Sequence, residues 1–195
     1  YRTAPTGQII QNESINNTVT AGGVSVGVNQ PVKGMTFTKV LSDANYIRKD
    51  ATWKLTLNSA GQAIQGALIE DQFPNGGLEL LPDTMQVTRS NGSVYPASQY
   101  KVTVTDVRAG FRIDFLQPPV EPLTITYRTT FDADWKKDKA EVSYHNVAGL
   151  YWLENGKYRT IPAEARFWPD NLTVNNGSKE GTYDPATKEV TWTIK

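Results

Sequence analysis

Apolar residues recur at every second position along most of this chain, with Thr, Lys or Arg between them. That period of two marks strands with one face buried. The sets Met35/Phe37/Lys39/Leu41, Ala51/Trp53/Leu55/Leu57, Ala67/Ile69/Asp71/Phe73, Val102/Val104, Phe111/Ile113/Phe115, Leu123/Ile125/Tyr127 and Val142/Tyr144/Asn146/Ala148 each share one strand face. No segment longer than a turn or two keeps the 3.6-residue period of an amphipathic helix. Pro74-Asn75-Gly76-Gly77, Asn91-Gly92, Gln117-Pro118-Pro119 and Asn155-Gly156 punctuate the strands with turn formers. The pattern predicts an all-β chain folded as an immunoglobulin-like antiparallel β-sandwich, with a barrel as the lesser alternative.

Three inward positions break the rule. Lys39, Asp71 and Asn146 stand where apolar residues are expected. Burying a lysine, a carboxylic acid and a carboxamide separately costs several kcal/mol, roughly, so they point to the rim, interrupt the alternation, or satisfy one another inside the core. Glu70 and His145, next to two of them, have outward parity and read as solvated strand residues.

Composition narrows the chemistry. With 195 residues and 38% hydrophobic content there is material for one domain with extensions, not for two full-sized domains. Twenty basic residues balance twenty acidic ones, so no net field favours nucleic acid or an anionic membrane. The absence of cysteine removes disulfides and thiolate chemistry, and a single histidine leaves little for a metal cage or a hydrolase triad, so no metal and no cofactor is expected. No apolar run is long enough for a membrane span, and Tyr1 opens no signal-peptide pattern, which reads as an internal fragment of a soluble or surface-displayed protein.

The chain also resembles itself. Thr38-Lys39-Val40 through Ala51-Thr52-Trp53-Lys54-Leu55 parallels Ser178-Lys179-Glu180 through Val190-Thr191-Trp192-Thr193-Ile194, at offsets of 140 and 139. Tyr1-Arg2-Thr3 echoes Tyr127-Arg128-Thr129, and Gln11-Asn12 can be laid on His145-Asn146. A period near 140 residues divides the chain into the C-terminal part of a preceding repeat and a linker (1–33), a complete repeat (34–168) and the N-terminal strands of a following repeat (169–195). The junctions Asn29-Gln30-Pro31-Val32-Lys33-Gly34 and Trp168-Pro169-Asp170-Asn171 are rich in turn formers. The fold expectation is therefore one sandwich with partial neighbouring repeats at both ends.

Phe37-Thr38-Lys39, Trp53-Lys54-Leu55-Thr56-Leu57, Ile69-Glu70-Asp71-Gln72-Phe73 and Asn146-Val147-Ala148-Gly149-Leu150 together resemble the collagen-adhesin type A domains of Gram-positive cell-wall adhesins. Val40-Leu41 departs from the Thr-Gly that many members carry after the lysine. The resemblance implies a spontaneous isopeptide cross-link between Lys39 and Asn146, with Asp71 as the catalytic proton relay. A lysine desolvated among Phe37, Trp53, Phe73 and Tyr144 has a lowered pKa and is a competent nucleophile, while a buried Asp71 is pushed toward its protonated form. The reaction is single-turnover, so the protein is not an enzyme acting on external substrate. The resemblance further implies an extracellular, wall-anchored surface protein in which this repeat is a stiff spacer. The second reading is a module that engages a host extracellular-matrix protein such as collagen; neighbouring repeats are the other expected partners, with no nucleic acid and no membrane insertion.

The remaining polar features carry less. Asp132, Asp134 and Asp138 lie among Lys136, Lys137 and Lys139 without the spacing of a calcium loop, and read as a charge-balanced loop. Asn91-Gly92-Ser93 and Asn171-Leu172-Thr173 match a glycosylation sequon, which in a bacterial surface protein is coincidental. Tyr95, Trp135, Tyr151 and Trp168 read as scattered strand aromatics rather than a ligand patch.

Overall fold

The computed structural model of the chain describes Arg2 and residues 7–132, 143–168 and 179–194. Within these, nine strands build two antiparallel sheets. One sheet has the order β3-β4-β9-β6, from Phe37–Asn45 (β3), Asp50–Leu57 (β4), Leu123–Phe131 (β9) and Leu78–Arg89 (β6). The other runs β11-β10-β5-β8-β7, from Lys157–Phe167 (β11), Tyr144–Glu154 (β10), Leu68–Gln72 (β5), Gly110–Phe115 (β8) and Tyr100–Thr103 (β7). Two further hairpins, Glu13–Ala21 with Val24–Val32 (β1-β2) and Lys179–Asp184 with Glu189–Ile194 (β12-β13), are two-stranded sheets of their own. The all-β antiparallel expectation holds.

Side chains alternate across each strand, so the apolar face of each sheet meets that of the other in one continuous core. Trp53, Leu55, Leu57, Ile69, Ile113, Ile125, Tyr127, Tyr144 and Leu150 are wholly enclosed. Val102 departs from the expectation: it is 36% exposed, because β7 is a four-residue edge strand paired on one side only. Val142 lies outside the described residues. Tyr95 is buried and stacks on Tyr100, while Trp168 stays partly exposed.

The punctuation works as its residues dictate. Asn155 and Gly156 both take positive φ, 52° and 73°, which closes the β10-β11 hairpin with the two-residue turn whose twist suits antiparallel strands. In β6 the register slips between Leu81 and Gln86, around Pro82, which has no N–H to give an adjacent strand; β6 is an edge strand and tolerates it.

The segment before β1 packs on the sandwich. Ile9 is buried, its carbonyl accepts the Met35 N–H, and Gln62 brackets it, accepting the Ile9 N–H at 3.2 Å and donating to its carbonyl at 3.0 Å. The Asn12 side chain accepts the Gly34 N–H at 3.0 Å. The root of β1 is thereby pinned beside the start of β3.

Gly110 matters because it faces β5 at Gln72 with φ of 127°, and a Cβ built there lands on the Asp71 carbonyl oxygen. Only glycine lets β8 approach β5 so closely. Replacing Gly110 with Ala should destabilise the fold by roughly 3 kcal/mol through strain and displacement of β5. The urea midpoint measures it, and a variant as stable as the parent would contradict this packing.

Candidate functional site

The three polar residues of the inward faces meet in the core. Lys39 comes from β3, Asp71 from β5 and Asn146 from β10; their exposures are 6%, 1% and 0%. Register explains the meeting. Asp71 pairs with Ala148, and Asn146 lies two residues earlier on the same face of β10, so carboxyl and carboxamide are diagonal neighbours in one sheet. Lys39 reaches them from the other sheet.

A fourth residue links them. Tyr127 on β9 accepts hydrogen bonds from Lys39 Nζ at 2.7 Å and from Asn146 Nδ2 at 2.8 Å, and its hydroxyl donates to Asp71 Oδ2 at 2.8 Å. Lys39 Nζ also donates directly to Asp71 Oδ2. The Tyr127 hydroxyl is thus saturated, with two bonds accepted and one given. Sequence reasoning placed Tyr127 on an inward face but not in this site. The available signal was that a buried tyrosine hydroxyl requires a polar partner.

The walls are aromatic. Lys39 Nζ lies 5.4 Å from the Tyr127 ring centroid and 5.9 Å from that of Trp53, and Phe111 packs edge-on against Tyr127 at 4.8 Å. Phe37, Phe73 and Tyr144 belong to the same core. Desolvation in this setting lowers the Lys39 pKa from 10.5 to about 8, although the Asp71 charge and hydrogen bond pull it back up. Desolvation likewise raises the Asp71 pKa against the opposing pull of Lys39 and Tyr127. Tyr127 is held well above its ordinary value by burial and by the neighbouring Asp71. Burial therefore favours the neutral amine beside the neutral acid.

Two acceptors of this pocket remain without a partner, Asp71 Oδ1 and Asn146 Oδ1. Unpaired buried oxygens cost about 1–3 kcal/mol each. A proton on Asp71 turns one acceptor of this pocket into a donor.

The neighbours with outward parity stay outside. Glu70 pairs with Arg112 on the sheet surface at 3.4 Å, and His145 contacts Glu164 at 2.8 Å and Arg166 at 3.3 Å. Neither side chain enters the pocket. Asp134, Trp135, Asp138 and Asn171 lie outside the described residues, and no group of three metal-ligating side chains occurs among the described ones. No helix of the described residues is long and apolar enough to cross a membrane.

The sequence profile of the collagen binding domain matches residues 39–154, more than half of the chain. No curated protein matches in sequence. Among solved structures, a variant of the major pilin subunit of Bacillus cereus superposes with a TM-score of 0.56 at 9% identity, covering 91% of this chain and 52% of that one. The full-length major pilin SpaD of Corynebacterium diphtheriae follows with a TM-score of 0.53 at 14% identity, over 72% of this chain and 36% of its own. The collagen-binding domain from a Staphylococcus aureus adhesin gives 0.48 at 17% identity, over 67% and 97%. This chain spans about half of the first pilin and a third of the second; the pilin likenesses carry the fold.

The shifted lysine has a consequence for stability. In an Asn146→Ala protein Lys39 must remain an amine. Between pH 8 and 10 the unfolded chain then holds a proton on Lys39 that the folded chain releases, so stability rises with pH. Urea midpoints of Asn146→Ala should climb across that window relative to a Lys39→Met/Asn146→Ala reference. Parallel profiles would show that Lys39 titrates normally.

Proposed function

This chain belongs to the collagen binding domain family, and from that premise we propose that it is a stalk repeat of a Gram-positive surface adhesin, stiffened by an autocatalytic isopeptide bond between Lys39 and Asn146. The observation that carries the reading is the enclosed cluster of Lys39, Asp71 and Asn146 around the Tyr127 hydroxyl. The Lys39 and Asp71 side chains have no solvent exposure, and Asn146 is 0% exposed. An external substrate has no way in; the carboxamide within reach is the protein's own.

Neutral Lys39 Nζ attacks the Asn146 side-chain carbonyl carbon. A C–N bond forms and negative charge moves onto Asn146 Oδ1, the oxygen left without a donor. Protonated Asp71 donates to that oxygen as charge grows, then carries the proton lost by Nζ to the departing nitrogen. The bond to Nδ2 breaks, ammonia leaves, and Asp71 is again protonated, so atoms and protons balance. Tyr127 positions all three groups and spares Asn146 Nδ2 from lying unpaired before reaction. Folding supplies the proximity that replaces a high concentration of amine.

The bond ties the first strand of one sheet to a late strand of the other and encloses about a hundred residues. By the loop-entropy argument for cross-links this stabilises by roughly 4 kcal/mol, less any strain. Extracellular display at the cell wall follows from the same reading, as does the absence of enzymatic turnover. A second reading, engagement of collagen, is favoured by the family match; surface plasmon resonance on immobilised collagen, with the whole chain as analyte, decides between spacer and ligand-binding module.

Intact-mass measurement of the denatured protein should show the loss of one ammonia. Lys39→Ala, Asp71→Ala and Asn146→Ala should each retain the full mass. An unmodified wild type, with the Lys39 and Asn146 peptides recovered separately after digestion, would refute the cross-link. Asn146→Ala should fold yet melt roughly 10 °C lower, the shift that about 4 kcal/mol produces in a chain of this size. Equal melting temperatures alongside a confirmed bond would assign the bond to resistance against force or protease instead.

A further inference from the structure

The cross-linking reaction ends with a third proton on the departing nitrogen, and the pocket itself has to supply it. The Lys39 and Asp71 side chains have no solvent exposure and Asn146 is 0% exposed, so bulk water does not deliver that proton. The contacts narrow the donor further. Asp71 Oδ2 bonds to Lys39 Nζ and to the Tyr127 hydroxyl, while Asp71 Oδ1 has no partner. Asn146 Nδ2 donates to Tyr127 Oη at 2.8 Å, and Asn146 Oδ1 has no partner. Carboxyl and carboxamide thus share no hydrogen bond, and the group that touches both is the Tyr127 hydroxyl. The sandwich holds that hydroxyl in place. Tyr127 is wholly buried, faces Trp53 across the β4-β9 ladder, and has Phe111 packed edge-on against its ring at 4.8 Å.

We propose that Tyr127 is a catalytic residue of the cross-linking reaction, its hydroxyl carrying the last proton from Asp71 to the nitrogen that leaves. The inference rests on the Lys39–Asn146 reading and adds a chemical step to the positioning role of Tyr127.

The electronic change at Nδ2 sets the order of events. An amide nitrogen shares its lone pair with the carbonyl, so before reaction Nδ2 is a donor and Tyr127 Oη its acceptor. Attack by Lys39 Nζ makes the carbonyl carbon tetrahedral and returns the lone pair to Nδ2, which becomes an acceptor. Asp71 gives its proton to the Asn146 oxygen and takes one from Nζ along the direct Lys39–Asp71 bond. Asp71 Oδ2 then passes that proton to Tyr127 Oη while the hydroxyl proton of Tyr127 passes to Nδ2. The bond from carbon to Nδ2 breaks with its electron pair on nitrogen, and ammonia leaves. As the C=O bond reforms, the proton on that oxygen returns to Asp71. Nζ has lost one proton, Nδ2 has gained one, and Asp71 and Tyr127 end as they began. Tyr127 takes a proton as it gives one, so no phenolate accumulates. This suits a hydroxyl that burial and Asp71 hold well above its ordinary pKa.

The test follows ammonia loss in time. The full chain, purified in denaturant from inclusion bodies with Lys39 and Asn146 still free, is refolded by dilution. Samples are quenched in acid at intervals after tryptophan fluorescence shows folding complete, and weighed intact. Tyr127→Phe keeps the ring, and with it the packing of Phe111 and the ring face beside Lys39, while removing the hydroxyl. Its loss of ammonia should be slower by about a hundredfold or more, the scale of general acid catalysis. Lost positioning also slows a reaction, so the rates are repeated in mixtures of light and heavy water. Two protons move in the relay, so the parent rate should fall along a bowed curve with deuterium fraction, and the Tyr127→Phe rate along a straight line. A variant as fast as the parent would overturn the relay and leave the cross-link standing. A slowed variant with the same bow would overturn it too, returning Tyr127 to positioning alone. If Tyr127→Phe does not refold, a ring-fluorinated tyrosine in place of Tyr127 keeps the hydroxyl and makes it more acidic. It should speed the loss severalfold, and an unchanged or lower rate would overturn the relay. A parent that never loses ammonia refutes the cross-link itself, and the relay with it.

Discussion

The structure depends on keeping an amine and a carboxyl in a place that water does not reach. Lys39 and Asp71 sit between two hydrophobic sheets, and what they lose in hydration far exceeds what an ordinary surface ion pair returns. Sheet pairing on either side of Asp71, by β8 and β10, fixes the carboxyl. Pairing of β3 with β4 fixes the amine, and Tyr127 ties the two sheets at that point. A domain that merely sought stability would place leucine at these positions. Three polar residues persist here, joined through Tyr127 yet with two oxygens left without a partner, an arrangement that the proposed cross-linking reaction would explain.

Much of this was legible in the sequence because a β-strand encodes direction directly. Alternation assigns every residue to a face, so Lys39, Asp71 and Asn146 were visible as inward before any partner was known, and Glu70 and His145 as outward. The turn formers marked the hairpins for a similar reason: Asn155 and Gly156 tolerate positive φ that most residues do not.

What alternation does not encode is which strand lies beside which. Tyr127 was placed on the correct face, yet its role depends on β9 sitting two strands from β3, a fact of sheet order with no local signature. Val102 carries the same pattern as its buried counterparts and is half open because nothing in four residues declares an edge. The docking of Ile9 belongs here too, since a single isoleucine bracketed by Gln62 follows no period.

The same geometry decides what kind of chemistry the pocket can host. An enzyme needs an entrance, because substrate must come and product must leave. Here Lys39, Asp71 and Asn146 are closed in by Trp53, Tyr127 and Phe111 and by both sheets, so the reaction proposed for them would happen once, between groups that folding has already brought together. In the proposed reaction Asp71 would need only to shuttle one proton, with Tyr127 holding the others in place. In a chain without cysteine such a bond would cross-link the fold without an oxidant and resist reductants, and its position between facing sheets would place it in the path of a load applied along the strands. The features that make the pocket useless for an external substrate are the ones that suit a load-bearing spacer.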